Sequence, residues 1–86
     1  MTTLERLQGL LARDFEIAPE ALVPAATLES LEIDSLRMIE ILFSVEDAFG
    51  IAVPAEPAEI RTRVHTLGDL AAYIDELVNA KTQAQA

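Results

Sequence analysis

Four prolines, at positions 19, 24, 54 and 57, decide most of what this chain can become. A proline inside a helix removes a hydrogen bond and clashes with the preceding turn. Helices are therefore confined to the stretches before Pro19, between Pro24 and Pro54, and from Pro57 onward. Each stretch carries apolar residues at helical spacing. Leu4, Leu7, Leu11 and Phe15 form one stripe, with Thr2 or Thr3 as N-cap and Glu5 in the first turn. Asp34 is a good N-cap for a second helix over Ser35 to Phe49, and Gly50 stands where a left-handed residue would end it. Proline is compatible with a first helical position, so Pro57 can open a short helix over 57–61 and Pro19 a single turn over 19–22. Thr66 with Asp69 reads as a capping box with Asp in the Glu position, ahead of a stripe of Leu67, Leu70, Ile74 and Leu77.

The expected architecture is all-α, with three longer helices, one short helix and a long loop between the first two long helices. No strand alternation and no internal repeat is visible. The loop, residues 17–34, contains Leu22, Val23, Leu28, Leu31 and Ile33, too apolar a set for a free linker, so it is expected to pack onto the core. Gly9 inside the first helix signals either a close helix contact or simple tolerance. Periodicity stops near residue 78, which suggests a domain over 1–78 and a fraying tail over 79–86.

Composition narrows the function. A chain of 86 residues holds one small domain and leaves little room for a deep catalytic cleft. Fifteen acidic residues against six basic ones give a net charge of −9, which repels nucleic acid and anionic lipid and favours partners with basic patches. There is no cysteine, hence no disulfide, thiol nucleophile or cysteine-ligated metal, and the single histidine, His65, builds no multi-histidine site. The N-terminus lacks a basic and then apolar leader, and no run is long enough to span a membrane, so the expectation is a soluble, cytoplasmic protein.

The second helix is apolar over more than one face. If Ile39, Leu42, Val45 and Phe49 face the core, then Leu36, Glu40, Phe43 and Asp47 make an outward stripe that alternates apolar with acidic. Such a stripe suits weak docking of several partners, apolar contact supplying area and carboxylates steering toward basic surfaces. The alternative is that Leu36 and Phe43 are core in a bundle packed on two sides. Ser35 opens this helix, where the positive end of the dipole favours a phosphate ester. Alternatively, Asp34 or Ser35 only caps the helix. Ser35 is a poor candidate nucleophile, because no Gly-x-Ser-x-Gly elbow surrounds it and the lone His65, a surface or cap-adjacent residue, is far away in sequence. Glu29, Glu32 and Asp34 match no EF-hand spacing and read as solvated acidic surface.

Taken together, three features resemble the acyl carrier protein family over nearly the whole chain, from Leu4 to Leu77. They are a long apolar loop ending Leu31-Glu32-Ile33-Asp34-Ser35-Leu36, an acidic and apolar helix ending Val45-Glu46-Asp47-Ala48-Phe49-Gly50-Ile51, and a final amphipathic helix after Pro54. The resemblance implies a four-helix bundle of acyl-carrier type. A phosphopantetheinyl transferase would move 4′-phosphopantetheine from coenzyme A onto the Ser35 hydroxyl. The terminal thiol would then hold acyl groups as thioesters for fatty-acid, lipid or polyketide biosynthetic enzymes with basic docking patches. By the same resemblance, Asp34 would assist loading, Leu36 would lie beside the arm, and Leu36, Arg37, Glu40, Phe43 and Asp47 would meet partners. The protein would be a monomer that itself catalyses nothing and holds no metal.

Two positions depart from the family pattern. Glu32 stands where carriers commonly have glycine, which implies a different loop backbone and weaker loading by the usual transferase. Arg37 places a positive charge beside the phosphate. Two rival readings are an aminoacyl or peptidyl carrier using the same arm, and a small acidic helical interaction module with no prosthetic group. Against the first, Asp34 precedes Ser35 where many peptidyl carriers have His.

Overall fold

A computed structural model of the chain describes residues 2–53 and 57–84. In chain order it consists of α1 (Thr3–Asp14), a 3₁₀ turn (Pro19–Ala21), α2 (Ser35–Phe49), α3 (Pro57–Arg63) and α4 (Leu67–Ala84). The helices lie where the prolines permit them. The short helix runs on to Arg63 rather than stopping at Arg61, and α4 stays helical beyond Val78, where the apolar periodicity ends. Residues of high helix propensity such as Ala and Lys sustain helical backbone without a buried stripe.

Local chemistry sets the ends. At the start of α1, Glu5 N–H donates to Thr2 Oγ1 at 3.1 Å and Thr2 N–H donates to Glu5 Oε1 at 2.9 Å, a complete capping box. These bonds favour the ionised form and hold the Glu5 carboxyl below its ordinary pKa. At the start of α4, Asp69 N–H donates to Thr66 Oγ1 at 3.1 Å, while Asp69 Oδ2 accepts from the N–H groups of His65 and Thr66 at 3.2 Å each. The Asp69 carboxyl is lowered for the same reason, the His65 bond being the largest cause. α1 ends in a left-handed residue, Glu16 at φ 53, with Ile17 N–H reaching back to the Leu11 carbonyl at 3.4 Å.

α1 and α2 run antiparallel. The Arg6 guanidinium near the start of α1 lies 4.1 Å from the Phe49 ring centroid and donates to the Ala48 carbonyl at 3.0 Å, at the end of α2. At the other end of the pair, Arg37 of α2 lies 5.8 Å from the Phe15 ring. α1 also packs along α4, with Thr3 Oγ1 donating to Asp75 Oδ1 at 2.8 Å. Leu7 and Leu11 of α1, Met38, Ile41 and Val45 of α2, and Leu67, Leu70 and Ile74 of α4 are wholly buried between them.

The long loop is part of this core. Leu22, Leu28, Leu31 and Ile33 are buried, and Val23 is the exception, half exposed. The loop is pinned to the start of α4 by a single antiparallel bridge between Thr27 and Thr66. Leu28 N–H donates to the His65 carbonyl at 3.0 Å, Leu67 N–H to Ala26 at 2.8 Å, and Gly68 N–H to Pro24 at 2.9 Å. Gly68 is needed for this approach, since a Cβ there would stand 3.2 Å from the Pro24 oxygen. Gly9 makes no such contact, with nothing within 4 Å of where its Cβ would be, so it is a tolerated residue.

Candidate functional site

The site is built around the entry to α2. Thr27 and Ser30 form a compact turn, Ser30 N–H donating to Thr27 Oγ1 at 3.1 Å and Ser30 Oγ donating to the Thr27 carbonyl at 2.8 Å. Ile33 N–H then donates to the Leu28 carbonyl at 2.9 Å and the Ile33 side chain is buried. Asp34 takes the N-cap position: its Oδ1 accepts from Arg37 N–H at 2.8 Å and its carbonyl accepts from Met38 N–H at 2.9 Å. Met38 is again wholly buried. Ser35 is thus the first residue of a helix whose mount is anchored in the core on both sides, at Ile33 and Met38, while Asp34, Ser35, Leu36 and Arg37 are exposed.

Glu32 takes an uncommon backbone for a residue with a side chain. It lies at φ 58, the left-handed region that glycine adopts freely. Glu32 is held there because buried Leu31 and Ile33 on either side fix the chain path, and Glu32 N–H donates to the Glu29 carbonyl at 3.0 Å. The Glu32 side chain itself is exposed.

On α2 the outward stripe is real. Leu36 and Phe43 are each 67% exposed and Glu40 and Asp47 are exposed, so the alternative in which Leu36 and Phe43 are core does not hold. The inward face differs from the one expected. Met38, Ile41, Leu42 and Val45 are buried, whereas Ile39 is exposed and Phe49 only half-buried. Ile39 sits one turn after Ser35 on the same side of the helix, adding an apolar residue to the surface below the serine. Sequence periodicity missed it because Met38 and Ile39 are equally apolar and only packing separates them. Arg37 leans toward Phe15 of α1, and a residue two positions along a helix does not share a face with Ser35.

Ser35 suits a phosphate ester. It is an exposed primary hydroxyl at a helix N-terminus, with the Asp34 carboxylate turned to the Arg37 N–H. Glu29, Glu32 and Asp34 line a shallow open depression with Ile33, and among the described residues no three His, Cys, Asp or Glu side chains gather as metal ligands. His65 is exposed and its backbone is spent on the loop clamp and the α4 cap.

This fold and this mount define a helical carrier bundle. The family described as the phosphopantetheine attachment site matches residues 5–74. An acyl carrier protein of Thermosynechococcus vestitus is 33% identical over 78 residues, covering 90% of this chain and 93% of its own. The acyl carrier protein AcpXL of Brucella melitensis is 34% identical over 89 residues, covering 93% and 96%. An acyl carrier protein of Streptococcus pyogenes serotype M3 is 29% identical over 76 residues, covering 88% and 96%. The chain belongs to the acyl carrier protein family, with phosphopantetheine as its cofactor. That membership sets aside the module without a prosthetic group, and the relatives favour acyl over peptidyl cargo. No helix among the described residues is long and apolar enough to cross a membrane.

Proposed function

We propose that Ser35 is the residue that carries the arm, and that the chain presents acyl thioesters to biosynthetic enzymes without catalysing a reaction itself. The observation that carries this reading is the mount: an exposed hydroxyl at the first position of α2, between the buried anchors Ile33 and Met38. In loading, the Ser35 oxygen forms a bond to the phosphorus that bears the pantetheine of coenzyme A. The pyrophosphate bond breaks, adenosine 3′,5′-bisphosphate leaves, and the serine proton passes to a base of the transferase, since this chain has no histidine or cysteine at the site. Bound through its phosphate, the arm supplies the thiol that a cysteine-free chain lacks.

Asp34 holds the helix start on which the transferase acts. Leu36, Glu40, Phe43 and Asp47, joined by Ile39 and flanked by Arg37, form the surface that loading and acyl-using enzymes meet through basic patches. A cytoplasmic monomer serving fatty-acid, lipid or polyketide synthesis fits this surface and the charge of −9. The test is intact mass after incubation with coenzyme A, magnesium and a broad-specificity transferase. One phosphopantetheine added to the wild type and none to Ser35→Ala is the expected result; modification that survives Ser35→Ala overturns the assignment.

A further inference from the structure

Three backbone N–H groups leaving α2 converge on one residue. The Glu46 carbonyl accepts from Gly50 and, at 3.1 Å, from Ile51, while the Glu46 carboxylate Oε2 accepts from Val53 N–H at 2.9 Å. Gly50, left-handed at φ 65, reverses the chain so that buried Ile51 and half-buried Val53 return to the bundle. The two carbonyl bonds suffice to end a helix. The carboxylate bond does something more, because it reaches seven residues ahead and fixes the connection beyond the turn. A bond to an ionised acceptor in a half-buried setting is stronger than a neutral one in water.

Glu46 also differs from its neighbours on α2. Glu40 and Asp47 are exposed and accept no side-chain hydrogen bond among the described residues, whereas Glu46 is half-buried and spent on its own backbone. Among the described residues the ion pair formed is between Arg13 and Asp14, and none of their cations is paired with Glu46. A foreign cation could compete for it. A lysine or arginine that draws the carboxylate away from the backbone would exchange the Val53 bond for an ion pair and leave the Val53 N–H to water, whereas one that pairs with Oε1 alone would leave the bond in place.

We propose that Glu46 is a latch: a positioning residue whose carboxylate holds the Gly50–Val53 connection on the bundle, and which a cationic side chain of a docked partner releases. The latch stands on geometry alone; its release rests on the reading that basic partners dock on α2. Docking at the helix would then loosen the connection toward α3 through Glu46, the residue that joins the two.

Hydrogen exchange of the Val53 amide, read by NMR on the full chain, tests both halves. Glu46→Ala is expected to speed Val53 exchange by about tenfold, with the Ile41 amide unchanged, and Glu46→Gln, which keeps an acceptor, by less. A tetralysine peptide is expected to speed Val53 exchange in the wild type and in Asp47→Ala, and to have no effect on Val53 in Glu46→Ala. Unchanged exchange in both Glu46 variants overturns the latch. A latch confirmed by the variants but indifferent to tetralysine overturns the release, and leaves the Ser35 assignment to the mass experiment.

Discussion

At the scale of single residues, the loop before Ser35 stores backbone strain at Glu32. Glu32 occupies a left-handed conformation in which a Cβ crowds the following carbonyl, and its exposed side chain gains no bond among the described residues to offset that. Glu32→Gly is expected to stabilise the fold by about 0.5–1 kcal/mol, the relief of strain exceeding the extra freedom of glycine in the unfolded chain. Glu16→Gly, left-handed at the end of α1, should behave alike, which makes it a control in thermal unfolding. If Glu32→Gln, which removes the charge and keeps the backbone restricted, changes the rate of loading as Glu32→Gly does, the Glu32 carboxylate itself is what the transferase meets. The Asp34 cap and the start of α2 at Ser35 were legible in the sequence, because Asp-Ser ahead of an apolar run is a local signal. The conformation of Glu32 was not, because it is imposed by the burial of Leu31 and Ile33, and no local signal in the residue reports it. Asp34→Ala removes the acceptor of the Arg37 N–H and is expected to cost about 1 kcal/mol in unfolding experiments, together with slower loading.

At the scale of elements, most helix boundaries followed from prolines, caps and Gly50, while the end of α4, which runs to Ala84 past the last apolar repeat near residue 78, did not. Which face of α2 turns inward did not follow, because nine apolar residues cover more than half its circumference. Only packing within the bundle, against α1 and α3, selects Met38, Ile41, Leu42 and Val45. The Thr27–Thr66 bridge was equally hidden, since one pair of residues makes no alternation. Two predictions belong here. Gly9→Ala is expected to stabilise α1 by about 1 kcal/mol, because the added methyl meets nothing within 4 Å. The caps of α1 and α4 are expected to weaken in acid. Glu5 and Asp69 have folded pKa values below their ordinary ones, so their stabilisation is fully present above the unfolded carboxylate pKa and is lost as pH falls through the folded one. Circular dichroism across that acidic range, with Glu5→Gln and Asp69→Asn, checks it: the double variant should lose less stability on acidification than the wild type.

At the scale of the whole molecule, a charge of −9 on a bundle with a radius of gyration of 12.2 Å acts on stability and on docking with opposite signs. Like charges repel across the fold when the screening length exceeds their spacing, and that length shrinks to about 8 Å at physiological salt. Adding salt from a few millimolar to that level should therefore raise the melting temperature. The same screening should slow acyl transfer by partners with basic patches, because the attraction that steers them to Glu40 and Asp47 is lost. On the proposed docking surface, the exposed Leu36, Ile39 and Phe43 would set how much docking survives, since apolar contact is not screened. Phe43→Ala should therefore weaken transfer at every salt concentration, and Glu40→Lys should weaken it mostly at low salt. Both are measured as the transfer rate at limiting carrier, with the melting curve of each variant confirming that the bundle is intact. Equal loss from Glu40→Lys at all salt concentrations would show that this carboxylate makes a close, desolvated contact with the partner, in which case its contribution is specific pairing and the steering belongs to the remaining charge of the chain.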